Sequence, residues 1–168
     1  MFNSNFIRVS YPILFIILFV SVSIAQDSKY SGIEGTYKLV SRKLPDGSTV
    51  TPPRIEGMLN YSKKYKNFNI MWKGNGGKVS SISSVSSYNL GEFEYSEKNI
   101  FYMINDGING NGVTYDLSGK SGSSPIIRAD GQTEFKLPLF DEPDVSFGPE
   151  GLTAMKRGQF IDTWEKVE

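Results

Sequence analysis

From residue 33 onward the chain alternates apolar and polar positions with a period of two. In Ile33-Glu34-Gly35-Thr36-Tyr37-Lys38-Leu39-Val40-Ser41-Arg42, Tyr37 and Leu39 fall on one face, and Thr36, Lys38, Val40 and Arg42 on the other. This predicts a first strand over about 34–44. Leu59 and Tyr61 share a face in a second, about 57–63, and Phe68, Ile70 and Trp72 alternate with Asn69, Met71 and Lys73 in a third, about 66–73. A hairpin is expected between about 90–95 and 99–105, turning at Ser96-Glu97-Lys98-Asn99. Its second strand is apolar on both faces and so reads as central. Shorter strands are marked by Val113, Tyr115 and Leu117, by Phe135, Leu137 and Leu139, and by Leu152 to Arg157. Phe160 to Val167 reads as a closing strand that pairs back onto the first.

Turn chemistry separates these runs. Pro45-Asp46-Gly47-Ser48 fixes φ early and tolerates positive φ late, and Asp130-Gly131 is a strong hairpin dipeptide. Residues 45–56 form a long first connection that is either a lid over an open barrel end or a plain surface loop. The serine-rich run 78–89 reads as an irregular segment or an edge strand, because serine competes for backbone hydrogen bonds. Residues 118–124 read as a flexible turn and 140–151 as a loop. Gly119-Lys120-Ser121 is not a phosphate loop, since Thr114 stands where the leading glycine is required. The Asn/Gly-rich stretch from Asn105 lacks the spacing and closing glutamate of a calcium loop.

These strands and turns imply an all-β chain: a single antiparallel up-and-down β-barrel of about eight strands. Gly35-x-Tyr37 places an aromatic two residues after a glycine at the start of the first strand. Together with Leu39-Val40-Ser41, Asp46-Gly47 and Gly57-x-Leu59-x-Tyr61, it resembles the opening of bacterial lipocalin-like domains of the calycin superfamily. The resemblance covers about the first third of the chain after its leader. It implies a cup for a small hydrophobic ligand. It also implies that Tyr37 closes the barrel base against a basic residue near the last strand, Arg157 or Lys166, so that Gly35 and Tyr37 serve structure.

The first 25 residues read as a signal peptide, leaving one domain over 26–168. Arg8 precedes an apolar run from Tyr11 to Val22, and Ser23-Ile24-Ala25 offers a small-residue cleavage site. The run is short for a bilayer span of about 20 residues. Export to a periplasm or the exterior is the expectation, with retention as an uncleaved anchor the alternative. The 18 basic and 18 acidic residues balance, and Arg8 is the leader's only charge. With no long-range field and no basic stripe, nucleic acid is not an expected partner.

The chain has no histidine and no cysteine. That removes Ser-His-Asp and thiol nucleophiles, ordinary zinc sites and histidine-ligated haem. No cofactor or metal is expected, and the scattered acids single out no acid-base pair. Aromatic residues make up 13% of the chain, enough to wall a small barrel. The expected ligand-binding wall is Leu39, Tyr61, Ile70, Trp72, Phe93, Tyr95, Tyr102, Tyr115, Phe135 and Leu137, an apolar surface with phenol and indole groups for orientation. Each of these also suits plain core packing. The competing function is an extracellular interaction or carbohydrate-contacting module, with Tyr61, Tyr88 and Trp72 facing outward.

Overall fold

A computed structural model describes residues 32–167. The expected leader, residues 1–25, lies outside the described residues. The strands in chain order are β1 (Gly35–Lys43), β2 (Thr49–Val50), β3 (Ile55–Tyr61), β4 (Tyr65–Lys73), β5 (Val79–Leu90), β6 (Glu94–Asp106) and β7 (Gly112–Asp116). They continue with β8 (Ser121–Pro125), β9 (Ile127–Ala129), β10 (Gln132–Lys136), β11 (Asp144–Gly148), β12 (Gly151–Lys156) and β13 (Phe160–Lys166). All pairings are antiparallel and form one curled, barrel-like sheet in the order β7-β6-β5-β4-β3-β1-β13-β12-β11-β10-β9. β2 pairs with β1, and β8 pairs with β6 beside β7. That path counts eleven strands where about eight were expected. The closing strand β13 pairs with β1, placing Tyr37 opposite Lys166 and Leu39 opposite Trp164.

The period-two pattern sets the inner face. In β3, Ile55, Gly57, Leu59 and Tyr61 are buried while the residues between them face water. In β4 the buried face continues from Lys66 to Ile70. The turn at Asp130-Gly131 has both residues at positive φ (51° and 78°), the geometry that a two-residue hairpin loop between β9 and β10 needs.

The structure corrects four local expectations. Residues 78–89 are neither irregular nor an edge: β5 is a 12-residue strand held between β4 and β6. Its serines alternate, with Ser80, Ser84 and Ser86 buried. The hairpin expected to turn at 96–99 is absent, because those residues lie inside the single strand β6; the turn falls at Gly91-Glu92-Phe93. Residues 118–124 contribute to β8, and 140–151 contains β11.

Two bulges reset the inward face. In β1 the register shifts between Leu39 and Ser41, leaving Val40 as the extra residue, so Tyr37, Leu39 and Arg42 all reach the inside. Arg42 was expected on the opposite face from Tyr37. In β6 the shift falls between the partners of Val85 and Ser86, leaving Ile100 as the extra residue. Tyr95 and Glu97 before it, and Tyr102 after it, therefore share the interior.

Candidate functional site

The interior has two regions. One is packed. Tyr37, Tyr61, Tyr88, Tyr95, Phe135 and Phe147 join in a chain of ring contacts, with Tyr95 stacked on Phe135 at 4.2 Å and Tyr61 edge-on to Tyr88 at 5.0 Å and to Phe147 at 5.5 Å. Tyr37 meets Phe147 edge-on at 5.6 Å and donates its hydroxyl to the Ile33 carbonyl at 2.9 Å. Such edge-to-face and offset contacts suit the ring quadrupole and leave no room for a ligand. The Lys166 ammonium lies 5.8 Å from the Tyr37 ring centroid.

The second region is open. A cavity of about 450 Å³ is walled by Leu59, Phe68, Ile70, Trp72, Ile82, Tyr102, Leu152, Ala154 and Trp164, among others. None of the six rings of the packed cluster lines it. Residues Leu137, Phe140, Asp141, Glu142 and Pro143 form a strap across it between β10 and β11. Phe140 stacks on Tyr102 with ring centroids 3.9 Å apart, and Asp141 pairs with Lys156. The first connection, 45–56, supplies no wall residue among those described; its turn is tied by Ser48 N–H to Asp46 Oδ1 at 2.9 Å.

Besides Asp141 and Lys156, charged side chains interrupt the apolar wall at two places. Arg42 donates to both oxygens of Asp162 at 2.7 Å each, and its guanidinium lies 4.0 Å from the Phe160 ring centroid. This fork geometry suits a guanidinium better than an ammonium. Lys66 is the deeper group. Its Nζ is 2.7 Å from Glu97 Oε1 and 3.2 Å from Glu142 Oε1, and its side chain is 1% exposed. Tyr95 donates its hydroxyl to Glu97 Oε2 at 2.8 Å, so Glu97 links the packed rings to Lys66 of the cavity wall.

The electrostatics follow from burial. Desolvation opposes charge on Lys66, but Glu142 and Glu97 outweigh it and hold the ammonium pKa above the usual lysine value. Burial pushes the Glu142 carboxyl up, with Lys66 pulling the other way. Burial, reinforced by the charge of Glu142, raises the Tyr102 phenol to about 12.

No family model, curated protein or solved structure matches this chain. The site therefore rests on its own geometry.

The ten expected wall residues divide three ways. Ile70, Trp72, Tyr102 and Leu137 line the cavity. Leu39, Tyr61, Tyr95 and Phe135 belong to the filled core. Phe93 and Tyr115 are on the outside, 74% and 63% exposed. Phe93 sits in the β5–β6 turn, where alternation no longer applies. Tyr115 opposes Met103 on β7, an end strand of the sheet, and leans on Phe101 at 6.1 Å. Of the aromatics expected to face outward in an interaction module, Tyr61 and Tyr88 join the interior cluster and Trp72 faces the cavity.

Sequence reasoning missed Arg42, Lys66, Phe140, Glu142 and Asp162. Lys66 shares parity with Phe68, Ile70 and Trp72, which was a legible signal that it points inward. Nothing local marks the strap. Among the described residues, no group of three or more histidine, cysteine, aspartate or glutamate side chains is placed to hold a metal ion.

Proposed function

We propose that this chain is an exported lipocalin-like protein that binds a small hydrophobic molecule in the barrel interior. The observation that carries the reading is the cavity of about 450 Å³. It falls within the range of about 300–1,000 Å³ usual for small-molecule sites. Its wall has the usual composition of such a site, apolar side chains with a few fixed polar groups. The Gly35-x-Tyr37 opening and the pairing of β13 with β1, which sets Lys166 against Tyr37, support the lipocalin-like part. The N-terminal sequence supports export.

Native mass spectrometry of protein purified from its own source tests the reading. A bound adduct of constant mass, released on unfolding, is expected. A consistently empty protein that also refuses fatty acids and hydrophobic dyes would overturn it.

A further inference from the structure

We propose that Lys66 is a carboxylate subsite, occupied in this closed state by the strap's own Glu142, and that the cavity takes an amphipathic monocarboxylate whose head group replaces Glu142 there. The inference rests on the cavity being a ligand site and adds the chemical class of the ligand.

The two carboxylates on Lys66 are not equivalent. Glu97 holds the ammonium with both oxygens, at 2.7 and 2.9 Å, and is fixed in turn by Tyr95. It lies within β6, paired with Tyr88 of β5 and Gly122 of β8, and cannot leave without disturbing the sheet. Glu142 reaches Lys66 through one oxygen at 3.2 Å, and its other oxygen is buried without a hydrogen-bond partner. A buried acceptor left unmade costs free energy. Glu142 is thus the weaker ligand of the pair.

Glu142 also has somewhere to go. Its side chain is already 13% exposed, and it sits on the strap next to Asp141, whose side chain is 79% exposed. Phe140 and Asp141 are consecutive non-glycine residues at φ 51° and 53°, a left-handed geometry that stores strain while the strap is shut. Exchange of one carboxylate for another keeps the charge at Lys66 constant, so the buried ammonium is never left unpaired. The alkyl chain of the incoming acid then lies along Phe68, Ile70, Trp72 and Leu152.

Titration with dodecanoate and with dodecan-1-ol, at mildly alkaline pH, separates the head group from the chain. The wild-type protein is expected to prefer the acid by about tenfold. E142A removes the internal competitor and is expected to raise the preference for the acid over the alcohol by about another tenfold. K66M/E97Q/E142Q removes the ammonium together with both of its carboxylates, so no buried charge is stranded; it is expected to bind both compounds alike. Circular dichroism and thermal melts verify that each variant is folded. Equal affinity for acid and alcohol in the wild type, or an acid preference unchanged by both variants, overturns the carboxylate subsite and leaves the hydrophobic-ligand reading standing. Failure of both compounds to bind any of the three proteins overturns that reading and the subsite with it.

Discussion

Lys66 and Glu97 meet at 2.7 Å with side chains 1% and 2% exposed, at the boundary between a packed aromatic region and an open cavity. Two strands that are not neighbours, β4 and β6, are thereby joined through the interior. A buried pair of this kind contributes little net stability but is costly to break from one side. E97A should therefore destabilise the protein by about 3–5 kcal/mol. K66M/E97L/E142Q, which removes Lys66 and both of its carboxylates, should recover most of that loss. Urea denaturation of the two variants and the wild type measures the difference, and a multiple variant no more stable than E97A would contradict the coupling.

Gly57 lies against the Trp164 indole. A Cβ at position 57 would stand 2.7 Å from the ring edge, closer than real Cβ contacts come. The ring is rigid and packed near Phe68, with centroids 6.0 Å apart, so it cannot yield cheaply. G57A should cost about 1–3 kcal/mol, as over-packed cores do. The same denaturation experiment reads it, and a neutral G57A would show that the indole moves freely.

Much of the fold was legible because alternation is a strong signal where one face is wet. β3 shows it in full, and the pairing of β13 with β1 was readable from the β-branched and aromatic run at the end of the chain. What stayed hidden has a common cause. Val40 and Ile100 are bulge residues, and each flips the parity of everything after it. A bulge leaves no residue-type signature, so Arg42 falls on the other face from the one alternation predicts; β6 reads as two strands for a different reason, the polar run Ser96-Glu97-Lys98-Asn99, of which Glu97 and Asn99 are buried. β5 was masked differently: its serines fit beside larger cavity and core residues, and their small size matters more there than their weak strand preference. The strap, including Glu142, is a loop whose position depends on contacts distant in sequence, such as Phe140 on Tyr102.

The placement of two aromatics gives a clean contrast. Phe93 is 74% exposed and Tyr95, two residues later, is 0% exposed. F93S should change stability by no more than about 0.5 kcal/mol. Y95A removes a ring stacked on Phe135 and the donor to Glu97, and should cost about 3–5 kcal/mol or abolish folding. Thermal melts of the two variants suffice, and similar losses at both sites would contradict the assignment of Phe93 to the outside.

Alkaline pH should unfold the protein earlier than its charge balance suggests. Tyr37 is held at about 12, by burial first and by Tyr88 second, and Tyr102 is held at about 12 by burial and Glu142. An unfolded chain releases these protons near pH 10. Between about pH 10 and 12 the unfolded state therefore binds fewer protons than the folded one, and stability falls as pH rises. Lys66, also raised, adds to the same slope. Below pH 10 these contributions are fully present. Melting temperatures recorded across that window should decline steadily, and Y37F should flatten the decline. A flat profile in the wild type would contradict the burial of these groups.

The most direct measurement is binding of an apolar fluorescent dye to the wild type and to A154W. Ala154 is buried, lines the cavity and sits on β12, outside the strap itself. A tryptophan there fills the space a ligand needs. The wild type should bind one dye per chain saturably, and a folded A154W should bind at least about tenfold more weakly. Equal binding by the two proteins, or no binding by the wild type, would contradict a ligand site in this cavity.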